Sequence, residues 1–289
     1  MAKIAIVSDV NAGLDYLGYD PQIPVLRSVI NFGEEHFVDG VDIKADEFYE
    51  KLSKITSSID IPSTSAPTVG ETMELIEDLI SKGYSDIIMY AISYELSSIG
   101  STFESMKQEY EEKINIHVVN TKLATYLQGY LAIEAKRMVE EEKTVEEILA
   151  YSDYLIKNCH AYFVVDDLSY LVKNGRLSGV SGFLGGLLKI KPVLEITEEG
   201  KIVSKEKVKT HRKAVERVIS IVEEEIKNSK KVKIFVFHTL REEDAKQILD
   251  YFQLKYKDVA ECELHMVTPA VGAHIGTKIL GVGYFILDN

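Results

Sequence analysis

Four short segments carry residue types able to hold or transform an acidic ligand. The first is Ser63-Thr64-Ser65-Ala66-Pro67-Thr68, which puts four hydroxyls within six residues ahead of a helical stretch. Hydroxyls and the free N–H groups of a helix start can together bind an anion. The plainer use of the same residues is to cap the helix that begins near Thr68. The second segment, Ser93 to Thr102 (SYELSSIGST), repeats that situation after an apolar run, so the two hydroxyl clusters could face one ligand. In the third, Asn174 to Gly179 (NGRLSG), Arg176 offers a planar five-donor guanidinium suited to a carboxylate or phosphate, or simply a surface arginine in a turn. In the fourth, Val271 to Gly276 (VGAHIG), two glycines bracket His274 and let the backbone approach closely. His274 could donate to an anion or shuttle a proton, or serve as a structural imidazole. A Ser93 or Thr64 nucleophile with His274 as base would make a hydrolase or acyl-transfer enzyme, but no third member or nucleophile elbow accompanies them.

These segments need elements to position them. Lys3 to Asp9 reads as a buried strand delivering Ser8 and Asp9 to a sheet edge. Val25 to Phe32 and Glu35 to Val38 read as two strands joined at Gly33, and Ala45 to Lys54 as a helix with Phe48, Leu52 and Ile55 on one face. The hydroxyl-rich Ser63 to Thr68 reads as a loop, with Pro67 opening a helix over Glu71 to Lys82. Strand Asp86 to Ile92, helix Thr102 to Glu111, strand Asn115 to Val119 and helix Leu123 to Glu140 then alternate as βαβ, which predicts a mainly parallel sheet. Ligands collect at the carboxyl ends of such strands, where the loops after Ser8, Ser93 and Asn120 would sit.

Helix Val145 to Asn158 bridges to a second half. That half reads as strand His160 to Val165, a helix over Leu168 to Lys173, a glycine-rich apolar stretch GFLGGLLKIKPVLEI, and strands Lys191 to Ile196 and Lys201 to Lys205 around a Glu199-Gly200 turn. Helix Arg212 to Lys227, strand Lys231 to His238, helix Glu242 to Tyr256 and strands Glu261 to Val267 and Val282 to Leu287 complete it. The expectation is an α/β protein of two domains: residues 1–158, a mainly parallel α/β lobe, and 159–289, an α+β lobe.

Composition removes several function classes. Of 289 residues, 33 are Lys or Arg and 46 Asp or Glu, for a net charge of −13. Such a surface repels phosphate backbones, which argues against nucleic acid as a partner. It also argues against anionic membranes, while a local basic patch leaves room for transient membrane contact. Cys159 and Cys262 show no CxxC spacing, and no two of the seven histidines pair at metal-ligand spacing, so neither a disulfide framework nor a metal site is expected. No P-loop, HExxH, GxSxG or kinase motif set is present, nor GxGxxG after the first strand, and no cofactor is expected. The start MAKIAIVSD has no signal-peptide architecture and no apolar run nears the ~18 residues of a membrane span, so a cytoplasmic location is expected.

In order along the chain, these segments resemble the DegV family. KIAIVSDV is similar to that family's IVTDS opening, TSAPT to TSQPS, and AISYELSSIGSTFES to ISSxLSGTYQSA. VVNTKLATYLQGYLAIEA is similar to DSKxASxGxGxLV, and FVVDDLSYLVKNGRLSG with LLKIKPVLEITEEGKI to DDLxYLxxGGRIS, LLxIKPIL and DGKI. VGAHIGTKILGVGYF resembles the closing VGAHTGPGxLGVxF. The resemblance implies a two-domain fold with a ligand tunnel between the lobes. It implies a non-catalytic carrier that binds a long-chain fatty acid and presents its carboxylate to an ATP-binding fatty acid kinase subunit. It implies that Thr64, Ser93 and His274 hold the carboxylate, joined by Arg176. This chain has Ala66 where the family motif has Gln, Asn174 where it has Gly, and a loop two residues longer after Ser93, which leaves Ser93 or Ser97 as the contact. An arginine-rich KVRTRKKA stretch implied in partner docking is KVKTHRKA here, with Lys209, His211, Arg212 and Lys213.

That role is physically reasonable. Burying about 15 methylenes at ~0.8 kcal/mol each gives roughly 12 kcal/mol of gross driving force, less the lost freedom of the ligand. Phe183, Leu184, Leu187, Leu188, Ile190 and Val193 could form the apolar sleeve, or part of an ordinary core. Neutral hydroxyls at the head would satisfy a carboxylate without a fixed countercharge damping its nucleophilicity.

Overall fold

The computed structural model describes residues 3–179 and 190–288. Three sheets organise it. In the first, β1 (Ile4–Asp9), β6 (Asp86–Ala91), β7 (Asn115–Asn120) and the two-residue β2 (Val25–Leu26) lie in the order β2-β1-β6-β7, all parallel. All six residues of β1 and of β6 are buried, as expected for strands covered on both faces. Helices α2 (Val69–Ser81), α3 (Ile99–Ser105), α4 (Lys107–Tyr110), α5 (Thr125–Glu140) and α6 (Val145–Lys157) accompany them.

The second sheet is mixed, in the order β10-β9-β8-β13-β11-β12. It comprises β8 (Cys159–Val164), β9 (Val193–Ile196), β10 (Ile202–Glu206), β11 (Lys231–His238), β12 (Ala260–Met266) and β13 (Leu280–Asp288). Only the β11–β12 pair is parallel. Helices α8 (His211–Ile226) and α9 (Glu242–Lys255) pack on it through Val218, Val222, Ile248 and Phe252. The third sheet is small and antiparallel: β4 (Glu35–Val38), β3 (Val29–Phe32) and β5 (Ser63–Ser65). It shares an apolar cluster with α1 (Ala45–Ser53), α7 (Ser169–Lys173) and α10 (Pro269–Ile275) through Ile30, Phe48, Tyr170 and Ala273. The largest cluster runs from Ile6 and Tyr90 in the first sheet to Ala161, Phe235 and Phe285 in the second.

Among the elements that the sequence led us to expect, four differ in the structure. The run Val25 to Phe32 is two strands, because the chain leaves the parallel sheet after Leu26 and joins the small one at Val29. Ser63 to Ser65 is a strand rather than a loop, held by pairing with Val29 to Asn31. Thr68 caps α2 through a reciprocal capping box with Glu71, and Pro67 precedes the cap instead of opening the helix. The helix expected over Thr102 to Glu111 is α3 and α4, divided at Met106.

Candidate functional site

Thr64 is the middle residue of β5, opposite Ile30 of β3. His274 stands in the last turn of α10. That helix is placed by local chemistry. The Thr268 hydroxyl accepts from Val271 N–H, Pro269 fills a first-turn position, and a carboxyl oxygen of the buried Asp39 accepts from Ala270 N–H at 2.8 Å. Gly272 lets α10 lie on α1: a Cβ there would stand 2.5 Å from the Tyr49 hydroxyl. Tyr49 in turn donates to the Val267 carbonyl at 2.8 Å.

The result is a contact across 210 residues, with Thr64 Oγ1 and His274 Nε2 2.7 Å apart. Both line a cavity of about 170 Å³ with Ser97, Ser98, Arg176, Asn11 and Ser28. Among the described residues lining it, Arg176 is the one that is charged. Its Nε donates to the Leu96 carbonyl at 3.2 Å and its Nη1 to the Asn174 carbonyl, which fixes the guanidinium with donors to spare. Ala66, Ile92, Leu96, Leu171 and Val271 form the apolar wall. A second cavity of about 60 Å³ adjoins it, sharing Ala124, Ile202, Val271 and Ile275. Leu127, Ala161, Phe163, Phe237 and Ile279 line this one, which is almost wholly apolar.

Burial, with Arg176 nearby, lowers the His274 pKa to about 4. The ring is therefore neutral near pH 7, and its Nδ1 is buried without a partner among the described residues. A neutral imidazole, a hydroxyl, serines and one guanidinium around a small cavity make a donor-rich receptor for a carboxylate.

Ser93 sits apart. It is fully buried, donates to the Gly200 carbonyl at 2.8 Å, accepts from Glu95 N–H at 3.2 Å, and is not among the residues lining the cavity. Gly200 has φ +86, and a Cβ on it would fall 2.2 Å from Ser93 Oγ, so only glycine fits this turn. Ser97 lines the cavity instead, its backbone N–H bonded to the Ser93 carbonyl at 3.0 Å. The loops beyond β1, β6 and β7 are knotted together behind it. Asp9 accepts from Ile92 N–H and Gln128 Nε2, Thr121 donates to the Ala91 carbonyl, and Ser93 N–H donates to the Leu123 carbonyl.

The family model described as uncharacterised protein, DegV family, matches residues 3–287. The chain belongs to the DegV family. A DegV domain-containing protein of Staphylococcus aureus is 34% identical over 287 residues, covering 98% of this chain and 97% of the relative. Two solved DegV structures share the fold. A fatty acid binding DegV family protein from Streptococcus agalactiae superposes with a TM-score of 0.88 at 28% identity over 99% of each chain. DegV of Bacillus subtilis, described as a fatty acid binding protein, gives 0.87 at 29% identity over 99% of this chain and 100% of that one.

Of the residues singled out in this DegV chain's sequence, Thr64, Ser97, Arg176 and His274 come together. Ile190 does not join them; it lines a surface groove with Val165, Leu168 and Val172. Phe183, Leu184, Leu187 and Leu188 lie outside the described residues. Lys209 and Arg212 are exposed, with Arg212 reaching Glu216 at 3.4 Å. Ser98, from the second hydroxyl cluster, also lines the cavity, whereas sequence reasoning missed Asn11 and Ser28, and helix α10 itself. For α10 a signal existed: Thr268-Pro269 is a cap followed by a first-turn proline. Among the described residues no three His, Cys, Asp or Glu converge to hold a metal, and no helix is long and apolar enough to cross a membrane.

Proposed function

We propose that this DegV chain binds a long-chain fatty acid, head group at Thr64, Ser97, Arg176 and His274, and presents the carboxylate to an ATP-binding kinase subunit that phosphorylates it. The tail would run into the apolar cavity between lobes 1–158 and 159–289. The observation that carries the reading is the pairing of a donor-rich cavity, centred on the 2.7 Å Thr64–His274 contact, with an adjoining apolar one. A polar head and an alkyl tail ask for that arrangement. The two structural relatives described as fatty acid binding support it. Ser93 supports the wall through Gly200 and would meet a ligand only by giving up that bond. Exposed Lys209 and Arg212 supply positive charge for docking the partner.

Carrier rather than catalyst is favoured by His274. An imidazole with a pKa near 4 is a weak general base for a Thr64 or Ser93 nucleophile. The test has two stages. Mass spectrometry of the organic extract of the purified, denatured chain should find a stoichiometric long-chain fatty acid. Adding the loaded chain to an ATP-dependent fatty acid kinase catalytic subunit should yield an acyl phosphate, with no turnover by the chain alone. An extract free of fatty acid, together with no uptake of added oleate or palmitate, would sink the reading.

A further inference from the structure

Asn174 stands where the resembled motif has glycine, and its side chain is occupied in an unusual way. Its Nδ2 lies 3.2 Å from the Pro62 carbonyl and 3.2 Å from the Ala273 carbonyl. Pro62 is two residues before Thr64, and Ala273 is the residue before His274. The carbonyls of the last turn of a helix have no partner within it, so Ala273 O in α10 is free to accept. One primary amide has two N–H bonds, one for each carbonyl. We propose that Asn174 is a positioning residue: its amide staples the start of β5 to the end of α10 and so holds Thr64 and His274 in contact.

Neighbouring residues tie the same segments down independently of the amide. Lys173 Nζ donates to the carbonyls of Ile59 at 2.6 Å and Ile61 at 2.9 Å, on the same approach to β5. Arg176 donates to the Asn174 carbonyl and to Leu96, so the backbone around Asn174 is tied to the Ser97 loop. Glycine at position 174 supplies no amide, and aspartate would turn a carboxylate toward two carbonyl oxygens. The staple acts on the pair before any ligand arrives. The geometry alone carries it; only the binding consequence rests on the fatty-acid reading.

The experiment follows the His274 ring nitrogens by 15N NMR in the ligand-free chain as wild type, Asn174→Gly, Asn174→Asp and Lys173→Ala, each first checked for folding by circular dichroism. In Asn174→Gly and Asn174→Asp the ring shifts move toward those of an unbonded imidazole, and its titration midpoint rises toward the ordinary value. Affinity for a fluorescent C18 fatty acid falls roughly tenfold, the loss expected for about one net hydrogen bond. Lys173→Ala lowers the melting temperature and leaves the His274 shifts in place. Unchanged His274 shifts in both folded Asn174 variants overturn the proposal, as does an equal displacement in Lys173→Ala, which would make the effect general loosening. If wild type binds no fatty acid while the His274 shifts respond as described, the functional reading falls and the staple stands.

Discussion

Thr64 and His274 touch at 2.7 Å although one sits on a strand and the other on a helix at the far end of the chain. That hydroxyl is the nearest polar partner of the imidazole, so removing it should cost binding more than folding. Thr64→Val keeps the shape and deletes the hydroxyl. We expect the dissociation constant for a fluorescent fatty acid to rise about tenfold or more, with thermal unfolding shifted by only a few degrees. Equal affinity in Thr64→Val and wild type would remove Thr64 from the head-group site.

Ser93 and Ser97 should separate cleanly. Ser93→Ala strips the carbonyl of the buried Gly200 of its donor, which costs roughly 1–3 kcal/mol of stability. Ser97→Ala, at the cavity wall, should weaken fatty-acid binding with little change in urea midpoint. The reverse pattern in paired unfolding and binding titrations would show that Ser93 rather than Ser97 meets the ligand.

His274 sets one pH dependence. Its folded pKa of about 4 lies below the usual 6.5, so between those values the folded chain binds fewer protons than the unfolded one. Its contribution to stability is complete above about pH 6.5 and is lost as pH falls toward 4. His274→Gln should therefore show a shallower loss of urea midpoint than wild type from pH 7 to pH 4.5.

Asp39 works in the opposite sense. It is fully buried, and burial raises its pKa from 3.8 to about 7, partly offset by the Ala270 N–H bond. The folded chain holds a proton that the unfolded chain has lost, so this contribution is whole below about pH 4 and is lost as pH rises through 7. Asp39→Asn keeps an oxygen for Ala270 and cannot ionise. It should gain on the order of 2 kcal/mol relative to wild type at pH 8, and far less at pH 5. A constant difference across that range would count against a buried, protonated Asp39.

Ala161 lines the apolar cavity on β8. Ala161→Leu would fill much of its roughly 60 Å³. Long-chain acids should then bind several-fold more weakly, while hexanoate, which needs only the head-group site, should compete as in wild type. Calorimetric titration of both ligands decides it.

How much of this could be read in advance depended on how local each signal was. The parallel sheet followed from βαβ alternation, and β11 spans Lys231–His238 as its apolar run suggests. Strand β5 was hidden because it is three residues long and two of them, Ser63 and Ser65, have little strand preference to support Thr64; pairing with a strand over thirty residues earlier decides their conformation. Ser93 and Ser97 look equivalent in the sequence; the carbonyl that occupies Ser93 belongs to Gly200, 107 residues on. His274 was marked by its glycines, read as permitting a close backbone approach, but the helix that carries them was not read. The close approach is there: Gly272 serves a tight helix crossing against Tyr49.

The apolar cluster that joins the first and second sheets has one more consequence. Ala161, Phe235 and Phe285 complete an interior begun by Ile6 and Tyr90, so neither half of the chain has a finished surface without the other. Severed after Asn158, both fragments would be sticky and poorly soluble, and the intact chain should melt in one calorimetric transition. A guest lodged within that shared interior, as proposed above, would not leave by a simple swing of two rigid halves. Its departure would then require transient loosening of the cluster itself, which predicts slow release of a bound acid in a stopped-flow displacement experiment.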